Sequence, residues 1–381
     1  MFFFILSFNC IIPEMNAIIT QLKGASHKGW IIGLFTISAG LSRPFSGKLA
    51  DNIGRKKVLL FGVVVSFIAS ISYMFSFSVL TLLIIRFIHG FATGFFPTGA
   101  TALITDILPK AKRGTGMGIW GTFISLGIGV GQGLSTFIVQ QVGLNGLFVF
   151  SALMVVVAQL FVLQSKETLK QPQSFSFKLL RVKRDEIIEP SVIPVAVVMF
   201  LSAICSGIIF VLTPDISTYL HIENKGSFFV FYVIATIIIR LTAGKLSDRI
   251  GRRQVLLIGM SLLAFSMYLI GTAQSASTYT IASIIFGIAT GISSPTIFAW
   301  TADLSPEARR GIGAGTMFIA LEFGIFSGAL ITNYLYDNTF ATIYTVFSVG
   351  IGAALITIVY LIWHLLKHPH HQRKFDASTT P

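Results

Sequence analysis

The chain has 381 residues, 54% hydrophobic and 11% charged, with a net charge of +13 at neutral pH. A soluble domain carries about 25% charged residues, so a water-facing globule is excluded. The basic residues fall in short segments between apolar blocks of roughly 20 residues, which is a membrane topology signal and not a nucleic-acid footprint.

The first block, "MFFFILSFNCIIPEMNAIITQ", has no basic leader and no small-residue cleavage site, and is read as a spanning helix over 1–22. Further spans follow at 29–50, 57–77, 79–104, 115–138 and 144–164. After a polar linker at 165–189 come 190–213, 226–246, 254–273, 277–300, 312–334 and 340–366, then a basic tail at 367–381. Helices are expected because lone strands leave backbone groups unpaired in lipid, and the alternation of barrel strands is not visible. The predicted fold is an all-α membrane protein of twelve transmembrane helices in two pseudo-symmetric six-helix bundles, 1–164 and 190–366. With both termini cytoplasmic, the inner segments hold Lys48, Arg55, Lys56, Lys57, Lys110, Lys112 and Arg113, while the outer loops keep Lys23, Lys28 and Lys225.

The two bundles repeat each other at an offset of 197 residues. "GKLADNIGRKKVLLFG" from Gly47 returns as "GKLSDRIGRRQVLLIG" from Gly244, and 12 of 20 positions are identical between 43–62 and 240–259. Pro109 matches Pro306, Arg113 matches Arg310, "HGFATG" (89–94) matches "FGIATG" (286–291), and Gly127 and Gly131 match Gly324 and Gly328. A fixed offset over this length means a duplicated unit. Parallel repeats joined by a linker are a common build of secondary transporters, with the substrate site between the halves. Within the phrase, Gly47 is expected to let another helix approach, and Asp51 and Arg55 stand one turn apart, able to pair. Gly54, like Gly251 in the second copy, permits a tight reversal.

The twice-written G-x-L-x-D-x-x-G-R-[KR] resembles the signature loop of the major facilitator superfamily, and the resemblance extends over nearly the whole chain. In that family the loop's Asp and Arg join an acid at the inner end of span 4 or 10 and latch the inner gate. The resemblance assigns that role to Gly47, Asp51, Gly54, Arg55 and Asp106, and to Gly244, Asp248, Gly251, Arg252 and Asp303. Arg86, in "RFIHGFATG", resembles the span 4 motif of proton-driven drug exporters, with His89 in place of the usual Gln. Its repeat position is Ser283. Gly118, Gly127 and Gly131 keep the glycine spacing of the exporters' span 5 motif, but Gln132 replaces its proline and Ser135-Thr136 its final glycines. Helix packing alone would account for those glycines.

Ionisable groups inside a span cost a few kcal/mol on insertion scales and are functional candidates. Glu14, expected among Phe and Ile, is the leading candidate for a coupled proton through desolvation. Asp215 follows Pro214 as Glu14 follows Pro13, a pseudo-symmetric match after a four-residue length difference, and Asp215 is expected to be the better solvated of the two. Glu322 either faces a cavity or pairs with another helix. Arg43 and Arg240 are expected to snorkel or bind backbone carbonyls. Phe96, Gln132, Tyr232 and Trp300 are candidates to line a cavity suited to amphipathic or cationic compounds.

Cys10 and Cys205 read as buried thiols, with neither disulfide nor zinc spacing. "HPHHQRK" at 368–374 reads as a basic tail with incidental histidines. No metal and no cofactor are expected. The chain is not read as an enzyme, since it has no phosphate-binding loop and no nucleophile–base constellation. These features together imply a secondary active transporter in the cell (cytoplasmic or inner) membrane, working as a monomer on a small-molecule substrate. The leading expectation is proton-coupled efflux of drug-like or metabolite compounds, energised by the proton gradient. The alternatives are a proton-linked importer of a nutrient or metabolite, and a non-transporting sensor or scaffold.

Overall fold

The computed structural model describes residues 1–107, 113–169, 171–183, 187–306 and 310–367, without the side chains of 105, 113–118, 241–245, 248, 310 and 311. The tail at 368–381, with its histidines, lies outside the described residues, as do Pro109, Lys110 and Lys112. The helices in chain order are α1 (Phe2–Asn9), α2 (Ile12–Gln21), α3 (Lys28–Ile53), α4 (Arg55–Ser72), α5 (Val79–Ile107) and α6 (Arg113–Gln164). In the second half they are α7 (Ile193–Tyr219), α8 (Ser227–Ile250), α9 (Arg252–Gly271), α10 (Ala276–Leu304), α11 (Arg310–Leu335) and α12 (Phe340–Lys367). Among the described residues nine helical stretches are long and apolar enough to cross a bilayer. One of them, Ile119–Gln164, runs for 46 residues, about twice what one crossing needs, and breaks where Gly143 takes φ 72°.

The expected helix at 1–22 is interrupted between α1 and α2 by a turn at Cys10 and Ile11, whose backbone stays in the right-handed helical region, and the two pieces make one apolar stretch, Phe2–Gln21. Pro13 is the reason, because it has no N–H to continue the ladder and sits well only in a first turn. The reversals at Gly54 (φ 117°) and Gly251 (φ 97°) each end one helix and begin the next with no intervening residue. A side chain is strained at these φ values, which is why each copy of the phrase has glycine there.

Helices pack through small residues, as lipid offers no hydrophobic drive between them. Ser38, Ser42 and Ser46 of α3 donate to the carbonyls of Phe87, Phe91 and Gly94 on α5 at 2.6, 3.2 and 2.8 Å. A Cβ on Gly90 would overlap the Phe35 carbonyl, and one on Gly94 the Ser42 hydroxyl. Their repeats, Gly287 and Gly291, press on Tyr232 and Ile239 of α8. Gly127 and Gly131 lie against Ile5 and Leu6 of α1, and Gly324 and Gly328 against Phe200 and Ile204 of α7. Gly47 differs from expectation: a Cβ there would meet nothing within 4 Å. The packed side of α3 at this level is that of its neighbour Ser46. The surroundings of Gly118 and Gly244 lie outside the described residues. The halves meet where α3 packs on α11, α6 on α8 and α2 on α7.

Candidate functional site

The charged residues expected to form a latch in each half meet at one end of the bundle, the loop end. Arg55 reaches Asp51 (3.1 Å) one turn back and Asp106 (3.1 Å) at the end of α5. Its Nη1 donates to the Ala50 carbonyl at 2.6 Å. In the second half Arg252 Nε meets Asp303 at 3.1 Å and Nη1 donates to Ser247 Oγ at 2.6 Å. The side chain of Asp248 lies outside the described residues.

The linker supplies a partner that no motif pointed to. Glu167 accepts the backbone N–H groups of Arg55 and Lys56, both at 3.0 Å, and so occupies the N-terminus of α4, where four N–H groups lack helical partners. It also accepts from the N–H groups of Thr168 and Leu169 at 2.9 and 3.0 Å. Partial burial works against the charge of Glu167, but these donors together hold its carboxyl below the ordinary value of 4.5. Thr168 Oγ1 donates at 2.7 Å to the same Asp106 oxygen that Arg55 holds.

The intramembrane carboxylates stand elsewhere, between the halves. Glu14 is buried but not enclosed by Phe and Ile alone. Lys225 Nζ is 2.7 Å from its Oε2, and Thr136 Oγ1 donates to Oε1 at 3.2 Å. Asp215, expected to be solvated, is 9% exposed. It accepts from Lys28 Nζ (2.5 Å), Tyr336 Oη (2.8 Å) and Asn16 Nδ2 (2.9 Å). Burial of this acid follows from the length of α7, which runs on to Tyr219 and carries Asp215 inside the helix packing.

Lys28 and Lys225 are repeat-related, 197 residues apart. Each half therefore offers one Lys and one Pro-preceded acid at the far end, and each acid is held by the other half's Lys. Asn16 Nδ2 adds a bond to the Val211 carbonyl at 2.8 Å, and Asn224 Nδ2 one to the Gly133 carbonyl at 2.9 Å, both across the same seam. A third charge pair crosses lower down. Arg43 Nη2 is 2.5 Å from Glu322 and its guanidinium lies over the Phe318 ring at 4.7 Å. So Glu322 takes the pairing alternative, and Arg43 binds a carboxylate where a carbonyl was expected. Its repeat, Arg240, bonds the Gly121 carbonyl (2.9 Å) and Ser294 (3.0 Å). The difference has a simple cause: the position that repeats Glu322 is Ser125, which offers no charge.

Arg86 is fully buried with no carboxylate against it among the described residues. Nε donates to the Ile31 carbonyl at 3.0 Å, Nη1 reaches Tyr73 Oη at 3.4 Å, and the guanidinium stacks 4.1 Å over Phe35. Nη2 has no partner. His89 lies one turn on, between Ser66 (2.9 Å) and Tyr73 (3.2 Å). Of the aromatic candidates, Phe96 stacks on Phe4 at 4.0 Å inside the first half. Trp300 meets His364 edge-on at 5.6 Å inside the second. Both are core residues of their own halves, the usual fate of aromatics in so Phe-rich a chain. Tyr232 is half-buried beside Phe229 and Phe286. Gln132 donates to Asn9 at 3.1 Å and its carbonyl oxygen is unpartnered. Cys10 and Cys205 are buried free thiols, and no group of metal-ligating side chains occurs among the described residues.

The sequence signal that could have found the cross-half pairs was the lysine match at the repeat offset, joined to the Pro-acid match. It needed the partners to be exchanged between halves, which spacing alone does not dictate.

Comparison with known proteins agrees with this architecture. The chain is 26% identical over 340 residues to an uncharacterized MFS-type transporter of Methanocaldococcus jannaschii, covering 86% of each chain. It is 24% identical to a protein of Lactococcus lactis described as a multi-drug resistance efflux pump PmrA homolog, covering 97% of this chain and 93% of the other. The crystal structure of the human organic anion transporter MFSD10 (TETRAN) superposes with a TM-score of 0.71 at 18% identity, covering 94% and 96% of the two chains. The family description "Major Facilitator Superfamily" matches twice, over residues 1–194 and 195–381. The chain belongs to the Major Facilitator Superfamily, and it is a transporter, not an enzyme.

Proposed function

We propose that the protein is a twelve-span exporter of small organic molecules, driven by protons and working by alternating access, with both termini and the loop end in the cytoplasm. The observation that carries this reading is the exchanged pair of ion bridges, Glu14–Lys225 and Asp215–Lys28, at 2.7 and 2.5 Å. They tie the far ends of the halves together, so this arrangement is the one closed to the outside. A protonated Glu14 or Asp215 loses its attraction to the lysine, and protonation therefore disfavours this arrangement. Such a bias becomes coupling when substrate favours the arrangement that protonation disfavours. The latches Asp51–Arg55–Asp106 and Arg252–Asp303 brace the loop end of each half as it rocks. Efflux is favoured over import by the likeness to the Lactococcus lactis protein described as a multi-drug resistance efflux pump homolog.

The test is accumulation of a panel of fluorescent organic cations in an efflux-deficient host, with and without a protonophore. Lower accumulation with the wild-type protein, abolished by the protonophore and in Glu14→Gln at matched expression, supports the reading. No difference across the panel removes broad export, and pH-dependent uptake of metabolites then becomes the measurement.

A further inference from the structure

The linker does more than join the halves; it is strapped across the first half at the loop end. Beyond the Glu167 and Thr168 contacts, the Gln173 N–H donates to the Asn52 carbonyl at 2.7 Å. Lys48 Nζ donates to the Arg181 carbonyl at 2.8 Å. Between those anchors a short 3-10 turn, Phe177–Leu180, presses Leu179 and Leu180 onto Leu49, Ala50, Val58 and Phe95. The opposite edge of the same turn is bare. Phe177 is 82% exposed and Phe175 51%, and their rings meet edge to face at 5.5 Å. Lys178 and Arg181 are exposed beside them, and neither side chain forms a salt bridge among the described residues.

This edge sits at the level of the membrane surface. Phe95 packs on Phe61 at 4.7 Å and Phe91 at 5.0 Å. Phe61 is 46% exposed on the apolar helix α4, which makes it lipid-facing. It lies six residues past Arg55, about 9 Å into the helix. Leu179 and Leu180 pack on the buried Phe95 beside that ring and on Leu49, Ala50 and Val58 nearer the helix ends, and Phe175, Phe177, Lys178 and Arg181 flank them in the chain. Aromatic rings with cations beside them at this depth are the chemistry of the headgroup layer, and cations favour anionic lipid there.

We propose that residues 175–181 form a docking edge for anionic phospholipid headgroups of the leaflet at the loop end. The rings enter the interface, while Lys178 and Arg181 take the lipid phosphates. The occupant is bilayer lipid because the turn is anchored through Phe95 directly beside the exposed, lipid-facing Phe61, at the end of the bundle where the cations of the loop gather. The inference needs only that the helices lie in a bilayer, and is independent of transport direction and coupling.

The experiment uses the full-length protein in nanodiscs of phosphatidylcholine with or without phosphatidylglycerol. Amide exchange over 173–183 is followed by mass spectrometry. Each cation at an anionic surface contributes about a fivefold factor in affinity, so exchange should be at least about fivefold slower in the anionic discs. Added salt and the variant Lys178→Gln/Arg181→Gln should both abolish the difference, with α4 exchange unchanged as the control for folding. Equal exchange in the two lipids would overturn the proposal, as would a difference that survives in the variant. Slowing by inorganic phosphate in detergent, to the same extent as by the lipid, would assign the edge to small anions and overturn it too.

Discussion

At the scale of the residue, Asp215→Asn leaves the Lys28 ammonium buried without its charge partner, and removing one member of a buried pair costs about 3 kcal/mol or more. Replacing both, as Lys28→Met/Asp215→Leu, should recover most of that loss. Thermal unfolding of the two single variants and the double variant in detergent measures the coupling, and additive losses would show that the bridge holds nothing. Glu167 makes a prediction with a pH sign. Its carboxyl is held below the ordinary 4.5, so its contribution is complete above 4.5 and fades as pH falls further, through the folded-state value. Exchange at the start of α4 should be the same from pH 8 down to about pH 5 and rise in more acid solution, after correction for the intrinsic rate. Glu167→Gln should show the raised exchange at neutral pH, by the roughly 1 kcal/mol typical of a lost helix cap. An unchanged profile in that variant would mean that the carboxylate does not hold the helix end.

Element contacts follow from small residues at repeat-related places. Gly94→Ala puts a methyl onto the Ser42 hydroxyl and the Ala39 carbonyl, and overpacking of this kind costs about 1–3 kcal/mol. Ser42→Ala deletes one interhelical bond, worth roughly 0.6 kcal/mol in a membrane, and should cost less than Gly94→Ala in the same melting assay. Much of this level was legible in the sequence. The glycine reversals could be read from a phrase written twice, and the carboxylates that meet Arg55 and Arg252 at the ends of α5 and α10 from the family resemblance that the phrase carries. The serine ladder on α3 was not, because Ser38, Ser42 and Ser46 look like ordinary polar interruptions until their acceptors on α5 are known. Phe96 and Trp300 misled for the opposite reason: a lone aromatic says that it is buried, not where. Glu167 was invisible because helix capping from a linker more than 100 residues away leaves no local pattern.

For the whole molecule, the far-end bridges should set how often the seam between halves opens. Val211 is buried on α7, at the seam with Asn16. With Cys10 and Cys205 replaced by Ala, a Val211→Cys reporter should react slowly with a membrane-impermeant thiol reagent. Combining it with Glu14→Gln and Asp215→Asn should speed labelling about tenfold, the result of losing roughly 1.4 kcal/mol of closure. Equal rates would mean that packing alone closes the seam. The reciprocity of the two bridges has a consequence of its own. When a patch on one subunit carries an acid and a lysine, and meets an identical patch through a two-fold axis, each acid falls on the other subunit's lysine. Glu14–Lys225 and Asp215–Lys28 approximate that contact set within one polypeptide, with the lysines in register and the acids four residues, about one helical turn, out of it. The seam thus has the form of an isologous homodimer interface, as if two copies of a single six-helix ancestor had met face to face before a linker made them one chain. Arg43–Glu322, which has no counterpart because Ser125 stands at the matching place, is one place where the two faces are not alike.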